Sequence, residues 1–293
     1  MNTIAKKHIS GHAMAIYDVI FSNGKIYTTS ADKFVARWSL QEEKQDGFAI
    51  KLDDSAFRIA ITNHGCIIIG NSKGGLHFVD LKERKEKRLL QQHKSPIFAL
   101  TYNSKNDEIY SGDGDGYFCV WDAKTMDLKL TFPYNCGKIR SIACSENYEH
   151  LAVCGQDGYV RILETSFFNE LHNFKTHKDG VNCAVFEENT LYTGGKDAHI
   201  RKWDWKNERL LKEVPGHNYA VYDLLLTNNN NTLVSASFDK TIKLFNTSDL
   251  DFLKRLDTKN KGHKHTVNRL TKVNETSFLS VSDDRMIIYW EIT

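Results

Sequence analysis

Residues 232–246 read TLVSASFDKTIKLFN, and this stretch decides the fold because its pattern recurs along the chain. Apolar and polar residues alternate on both sides of a short polar turn at Asp239, which is typical of two β-strands joined by a tight turn. A bulky residue, Phe245, follows the turn residue six positions later. Six further segments repeat this pairing: Asp32 with Trp38, Lys73 with Val79, Asp115 with Trp121, Asp157 with Leu163, Asp197 with Trp203, and Asp284 with Trp290.

The spacing of these seven units predicts a β-propeller. Successive turn residues lie 40 to 45 residues apart, which matches one blade of four short strands. Each unit also has an upstream marker, a polar residue followed four positions later by the first apolar residue of a new strand. These pairs are His12 with Ile16, Asp53 with Phe57, His93 with Ile97, Asn135 with Ile139, His177 with Val181, His217 with Val221, and His263 with Val267.

With both markers in register seven times, the chain resembles the WD-repeat family over essentially its whole length. The Gly-His pairs at Gly11, Gly216 and Gly262 and the Trp-Asp pairs at Trp121 and Trp203 carry this resemblance. It implies that a hydrogen-bonded set of His, Ser or Thr, Asp and Trp ties the strands of most blades. The implied tie residues are His12, Thr28, Asp32 and Trp38 in blade one; His93, Ser111, Asp115 and Trp121 in blade three; His177, Thr193, Asp197 and Trp203 in blade five; His217, Ser235 and Asp239 in blade six; and His263, Ser280, Asp284 and Trp290 in blade seven.

Blades two and four depart from this pattern together. An apolar residue replaces the hydroxyl, an acid or amide replaces the histidine, and an aliphatic residue replaces the Trp. Since a half-kept buried network would leave polar groups unpaired, we expect these two blades to depend more on apolar packing. The replacements are Ile69, Asp53 and Val79 in blade two, which also has Lys73 at the turn, and Val153, Asn135 and Leu163 in blade four.

The two ends of the chain predict how the ring closes. The seventh repeat stops at Thr293, directly after its third strand. Residues 3–9 are therefore predicted to supply the outer strand of blade seven, which leaves only short outer edges exposed. The predicted fold is all-β: residues 1–293 form a single domain, a seven-bladed propeller of four-stranded antiparallel blades.

The composition excludes several other classes of protein. The chain is 41% hydrophobic and 26% charged, as expected of a globular protein. The net charge of +2 and one basic run, residues 82–88, give little reason to expect nucleic acid as a direct ligand. Apolar runs are shorter than the ~20 residues that span a bilayer, so no membrane association is expected. The six cysteines form no CxxC pair, so they indicate neither a zinc site nor a redox motif. We expect reduced cysteines and a location in the cytoplasm, or in the nucleus of a eukaryote. We also expect the protein to be a monomer.

Several motifs superficially suggest chemistry. Ser, His and Asp recur in five blades, whereas a catalytic triad would normally occur once. Asp113 and Asp115 resemble the start of a calcium loop, but Lys124 stands where the twelfth-position glutamate is required. His263 and His265 lack a third ligand. We therefore predict no catalytic residue, no metal and no cofactor.

The WD-repeat resemblance also implies which residues contact partners. In the family, these lie at the start of each innermost strand and directly before each turn residue, on the narrower face of the ring. The residues that we predict to bind a partner are Tyr17, Arg58, Phe98, Lys138, Arg140, Asn182, Lys196, Tyr222, Phe238 and Asn268. Tyr and Arg are enriched at interface hot spots.

The WD-repeat resemblance implies a scaffold or adaptor that is not an enzyme. The aromatic and cationic side chains at these positions predict that it binds an acidic and apolar segment of another protein. Two alternatives stay open at the level of sequence. Some of the aromatic side chains could instead turn inward and plug the central channel. The protein could also be a regulatory or structural subunit of a larger enzyme or nucleic-acid-processing complex.

Overall fold

The computed structural model describes residues 3–292, and over this range the strands form seven four-stranded antiparallel sheets. Within each sheet the strands that follow one another in the chain are neighbours. The first strands of successive blades contact one another around a central axis. The all-β, seven-bladed propeller predicted from the repeats is therefore confirmed.

The strands are numbered in chain order, and the bounds of each blade are as follows. Blade one contains β2 (Ile16–Ser22), β3 (Lys25–Ser30), β4 (Phe34–Ser39) and β5 (Lys44–Lys51). Blade two contains β6 (Ala56–Ile61), β7 (Cys66–Asn71), β8 (Leu76–Asp80) and β9 (Lys85–Leu90). Blade three contains β10 (Ile97–Asn103), β11 (Glu108–Asp113), β12 (Tyr117–Asp122) and β13 (Leu128–Pro133). Blade four contains β14 (Ile139–Cys144), β15 (His150–Gly155), β16 (Tyr159–Glu164) and β17 (Glu170–Lys175).

The remaining blades continue this order. Blade five contains β18 (Val181–Glu187), β19 (Thr190–Gly195), β20 (His199–Asp204) and β21 (Arg209–Pro215). Blade six contains β22 (Val221–Thr227), β23 (Thr232–Ser237), β24 (Ile242–Asn246) and β25 (Phe252–Leu256). Blade seven contains β26 (Val267–Asn274), β27 (Ser277–Ser282), β28 (Met286–Ile292) and β1 (Thr3–Ser10). Two short 3-10 helices, Trp205–Asn207 and Thr258–Asn260, lie in loops, and no helix of the described residues is long and apolar enough to cross a membrane.

The core lies between adjacent blades, where the apolar faces of neighbouring sheets meet. Ile242 and Leu244 of blade six, for example, belong to one buried cluster with Val267 and Phe278 of blade seven. Each such side chain stabilises the fold by about 1.5–3 kcal/mol when it is fully buried. Because every blade packs against two neighbours, the ring holds each inner strand in place.

The ring closes through its first strand. β1 pairs with β28 in antiparallel register, with Thr3 opposite Ile292 and Ser10 opposite Met286. Ile9 is buried against the core shared by blades seven and one. The prediction that residues 3–9 form the outer strand of blade seven is confirmed.

The register of blade two differs by one residue from the one inferred from its sequence. Its first strand starts at Ala56, which lies opposite Asn71 just as Ile16 of blade one lies opposite Ser30. Phe57 therefore takes the position that Tyr17 has in blade one. Arg58 follows one position further along the inner strand, deeper in the channel.

Candidate functional site

The predicted ties of blades one, five, six and seven form hydrogen bonds between their members. In blade one, His12 lies 2.8 Å from both Asp32 and Thr28, and the Trp38 indole donates to Thr28 at 2.7 Å. The corresponding bonds are present in blades five and seven. In blade six, which has Phe245 instead of Trp, the histidine bonds persist. These residues connect the loop before each blade to its second strand and to the turn that follows, and the Trp adds the third strand where it is present.

Blade three uses a different carboxylate from the predicted one. His93 Nδ1 lies 2.8 Å from Asp113, and its Nε2 lies 2.7 Å from Ser111. Asp115 is exposed, and only its backbone N–H contributes, by donating to Asp113. The assignment of Asp115 as a tie residue is therefore wrong. Asp113 stands where blade one has Ser30. From there its carboxylate binds His93, as the carboxylate of Asp32 binds His12 in blade one.

The pKa of His93 reflects this buried setting. Burial acts to lower it, but the bonds to Asp113 and Cys119 outweigh burial and raise the pKa to about 9. In blade six burial dominates and lowers the pKa of His217 in spite of Asp239. The ties of blades three and six, which take their carboxylate from different positions, thus shift the pKa of their histidines in opposite directions.

Blades two and four contain polar links of their own. In blade four, Arg161 donates to Asp157 at 2.7 Å. In blade two, Asn71 lies 3.0 Å from His77, which lies 2.6 Å from Glu86. The expectation that these two blades depend more on apolar packing did not include these polar links.

The predicted partner-binding residues gather at one end of the ring, around the mouth of the central channel. A cavity of about 260 Å³ opens there. We call this surface the top rim. Its cavity is lined by Tyr17, Arg58, Phe98, Arg140, Asn182, Tyr222, Phe238 and Asn268, with Phe57, Thr266 and Asp283 among them. Lys196 lines an adjacent depression with Arg140 and Tyr222.

Three aromatic rings lie in a row along blades one to three of the top rim, and two cations of blade four lie at the end of that row. Tyr17 contacts Phe57 edge to face at a centroid distance of 5.0 Å, and Phe57 stacks on Phe98 at 5.6 Å. Lys138 and Arg140 lie over Phe98 at 5.3 and 5.4 Å from the ring centroid. These rings are half-buried because they pack on one another, so part of the aromatic set does turn inward.

Blade six supplies the exposed part of the top rim. Phe238 is 48% exposed and Tyr219 is 61% exposed, and their rings meet edge to face. Tyr222 contacts Phe238 from the channel side. Tyr219 was absent from the predicted set, although an aromatic residue in the polar loop HNYA was a signal for it. Exposed neighbouring aromatics are typical of interaction surfaces.

Arg58 is not a free cation of the top rim, contrary to its predicted role. Its guanidinium donates to the backbone carbonyls of Phe98 at 2.6 Å and Tyr17 at 3.3 Å. Burial and the neighbouring Arg269 lower its pKa to about 10. The one-residue register difference in blade two explains this, because it places Arg58 inside the channel and Phe57 at the mouth.

The two asparagines of the predicted set also link neighbouring blades. The Asn182 amide donates to the carbonyl of Val221 at 2.9 Å, and Asn182 is buried. The Asn268 amide donates to the carbonyl of Ile16 and to Asp283, both at 2.8 Å. Their amide donors are therefore engaged within the ring.

An ionic cluster deeper in the channel was missed at the level of sequence. Arg269 donates to Asp18 and to Asp223, each at 3.2 Å. The backbone N–H of Ile59 donates to Asp18, and that of Leu270 donates to Asp223. The signal was an isolated acid in two apolar inner strands, IYDVIF and VYDLLL. Because these carboxylates are paired, the cluster joins blades one, six and seven.

The channel cluster contains only two acids. Among residues 3–292, no group of three or more His, Cys, Asp or Glu side chains is placed to hold a metal ion.

The fold and these ties define a repeat propeller, and sequence comparison identifies which kind. A family model described as "WD domain, G-beta repeat" matches residues 84–122, 127–163, 168–204 and 208–246. These segments cover just over half of the chain. The chain belongs to the WD-repeat family.

Similar proteins share this domain. The chain is 23% identical over 239 residues to human kinesin-like protein KIF21A, which covers 80% of the chain and 12% of that protein. It is 21% identical over 225 residues to autophagy-related protein 16 of Arabidopsis thaliana, and the match covers 76% of the chain and 43% of that protein. WD repeat-containing protein 55 of the same plant is 21% identical over 231 residues, covering 77% and 65%. The chain thus spans less than two thirds of the length of each of these relatives. WD-repeat propellers are generally non-catalytic.

Proposed function

We propose that this protein is a non-enzymatic adaptor that binds an acidic and apolar segment of another protein across the top rim. The observation that carries the proposal is that exposed Phe238, which contacts Tyr219, and Arg140 of blade four line one cavity, with Lys196 of blade five in the adjacent depression. Large aromatic side chains beside Arg are the composition of interface hot spots.

The charge of the top rim favours an acidic partner. Among residues 3–292, no carboxylate forms an ion pair with Lys138, Arg140 or Lys196. Burial lowers the pKa of Arg140, which means that the charged guanidinium is destabilised where it lies. A carboxylate bound beside it would stabilise the charged form. A partner carboxylate can accept two parallel hydrogen bonds from a guanidinium, which is the strongest polar contact available here.

The aromatic side chains favour apolar residues next to that carboxylate. Phe98 lies directly beneath Arg140, so a group bound to the guanidinium also meets the ring edge. Phe238 and Tyr219 lie on the opposite side of the cavity and can cover a second apolar side chain. The partner segment is therefore one in which an acid lies close to aromatic or aliphatic residues.

Selection from a random peptide library on phage tests this function. Peptides selected on the wild-type protein should pair Asp or Glu with apolar residues, and they should fail to bind a folded Arg140→Glu variant. Lys212→Glu is the matched control, since it reverses an exposed cation on the outer strand β21, away from the top rim. Peptides that bind Arg140→Glu as well as wild type, or that are basic, would overturn the proposal.

A further inference from the structure

The third strand of each blade has one position that faces the tie of its own blade. This position lies two residues before the bulky residue that ends the repeat. Its occupants, in blade order, are Ala36, His77, Cys119, Arg161, Arg201, Lys243 and Ile288.

In three blades the occupant is a cation that binds the turn acid or the loop before the first strand. Arg201 of blade five donates to Asp197 at 2.8 Å and to Glu213 at 2.5 Å. Arg161 makes the matching bond to its own turn residue, Asp157, in blade four. In blade six, the Lys243 ammonium donates at 2.7 Å to the carbonyl of the glycine that precedes the tie histidine. The chain itself therefore shows which chemistry fills this place.

Blade one leaves the same place open. Ala36 lies opposite Ala49 on β5, so no long side chain is present at this position of either strand. Gln45 of β5 also lines the space, but its amide donates to the carbonyl of Phe48. A cavity of about 340 Å³ remains between blade one and the loop that joins β1 of blade seven to β2. We call it the seam pocket; Gly11, His12, Asp32, Phe34, Ala36 and Trp38 line it.

The acceptors that hold Arg201 and Lys243 have counterparts in the seam pocket. Asp32 corresponds to Asp197, and Gly11 corresponds to the glycine that accepts from Lys243. Asp32 already accepts hydrogen bonds from His12 and from backbone N–H groups, as Asp197 does in blade five. The cation is the one member that blade one does not provide.

The neighbouring cations of the chain do not fill this place. Lys33 donates to the carbonyl of Asp53, and Arg285 donates to the carbonyl of Ala13. The Trp38 ring forms an apolar wall, along which the methylene groups of a long side chain can pack.

We propose that the seam pocket binds the side chain of an arginine or lysine from a protein partner. The cation takes the place that Arg201 has in blade five, with its charge on Asp32 and its methylene groups against Trp38. The site is separate from the top rim and does not depend on the function proposed for that surface. A partner carboxylate is disfavoured here because it would meet the carboxylate of Asp32.

The first test uses small probes and the indole N–H signal of Trp38 in a ¹⁵N NMR spectrum. n-Butylguanidinium should shift this signal saturably. Neutral n-butylurea, which has nearly the same shape, should bind about tenfold more weakly, since it lacks a charge-assisted hydrogen bond. Equal responses to both probes, or no response to n-butylguanidinium, would overturn the proposal without the need for any variant.

Two variants test the assignment by filling the pocket in blade one and by opening the equivalent pocket in blade five. Ala36→Arg supplies the cation from the chain itself and should abolish the response of Trp38. Arg201→Ala should open the equivalent pocket in blade five, so that the Trp203 signal, silent in wild type, now shifts with n-butylguanidinium. A persistent Trp38 response in folded Ala36→Arg, or a silent Trp203 in folded Arg201→Ala, would contradict the assignment. Arg140→Glu, which disables the top rim, should leave the Trp38 response unchanged.

Discussion

Blades six and four have the same four-stranded arrangement, but different side-chain interactions join their strands. In blade six the buried hydroxyl of Ser235 and the carboxylate of Asp239 both bind His217. In blade four the hydroxyl position is Val153, fully buried, and an ion pair between Arg161 and the turn acid replaces the histidine. Each arrangement leaves the polar groups of its own tie paired.

The comparison teaches that the histidine and the hydroxyl of a tie are replaced together. A buried donor or acceptor without a partner costs about 1–3 kcal/mol, more than a satisfied bond contributes. A blade that keeps the histidine without the hydroxyl would therefore be worse than one that keeps neither. Blade two follows the same rule, with its own link between Asn71, His77 and Glu86.

Deleting residues 1–9 should cause the largest loss in the free energy of unfolding among the changes to these blades. The deletion removes the outer strand from blade seven, a tied blade, and exposes β28 and the core around Ile9. Loss of one buried aliphatic side chain and several strand hydrogen bonds should lower the free energy of unfolding by about 4 kcal/mol or more. Urea denaturation measures this loss. A truncated chain of wild-type stability would show that the tie, without the strand, holds blade seven.

Exchanging the hydroxyl between the two kinds of blade should destabilise both. Ser235→Ala leaves His217 Nε2 without its partner, and Val153→Ser buries a hydroxyl where no histidine is present. Each change should lower the free energy of unfolding by about 2 kcal/mol. Thermal and chemical unfolding of the two variants provide the measurement. If Val153→Ser were neutral, a half-kept network would be tolerated and the rule would fail.

Removing the turn acid should lower the free energy of unfolding more in blade six than in blade four. Asp239 is buried and binds His217, Thr241 and the backbone of Asn218, whereas the side chain of Asp157 is 30% exposed. We expect Asp239→Ala to cost about 2 kcal/mol and Asp157→Ala about 1 kcal/mol. Equal losses in urea denaturation would remove the distinction between the two kinds of tie.

The smallest expected effect concerns pH and blade seven. Burial would raise the pKa of Asp284, but its bond to His263 and two backbone N–H groups outweigh burial and lower it to about 2. A lowered carboxyl pKa stabilises the fold above the unfolded value of 3.8, and this stabilisation is lost as the pH falls toward 2. The stability difference between wild type and Asp284→Ala should therefore shrink by about 1 kcal/mol from pH 7 to pH 3. A difference that is independent of pH would contradict the shift.

The fold could be predicted because one pattern repeats seven times, so errors in single blades do not affect the whole. Positions inside a blade were harder. Asp113 and Asp115 both precede a tight turn, and only the backbone path shows which carboxylate reaches His93. In blade two no histidine marks the loop, so the inner strand could start at Ala56 or Phe57, and a shift by one residue exchanges the rim and channel positions.

The top rim was predictable in place but not in detail. The family pattern locates the mouth of the channel, yet it cannot show that Arg58 and Asn182 bind backbone carbonyls of the ring. The ionic cluster of Asp18, Asp223 and Arg269 depends on side chains from three blades that lie far apart in sequence. Their contact follows from ring closure, which a reading of separate repeats does not provide.

A charge exchange across the interface tests the central claim most directly. An acidic peptide selected on the wild-type protein should lose at least about tenfold in affinity for Arg140→Glu, measured by calorimetry. Replacing the acid of that peptide by lysine should then restore binding to Arg140→Glu and abolish it for wild type. If neither protein distinguishes the two peptides, the top rim does not bind an acidic partner through Arg140.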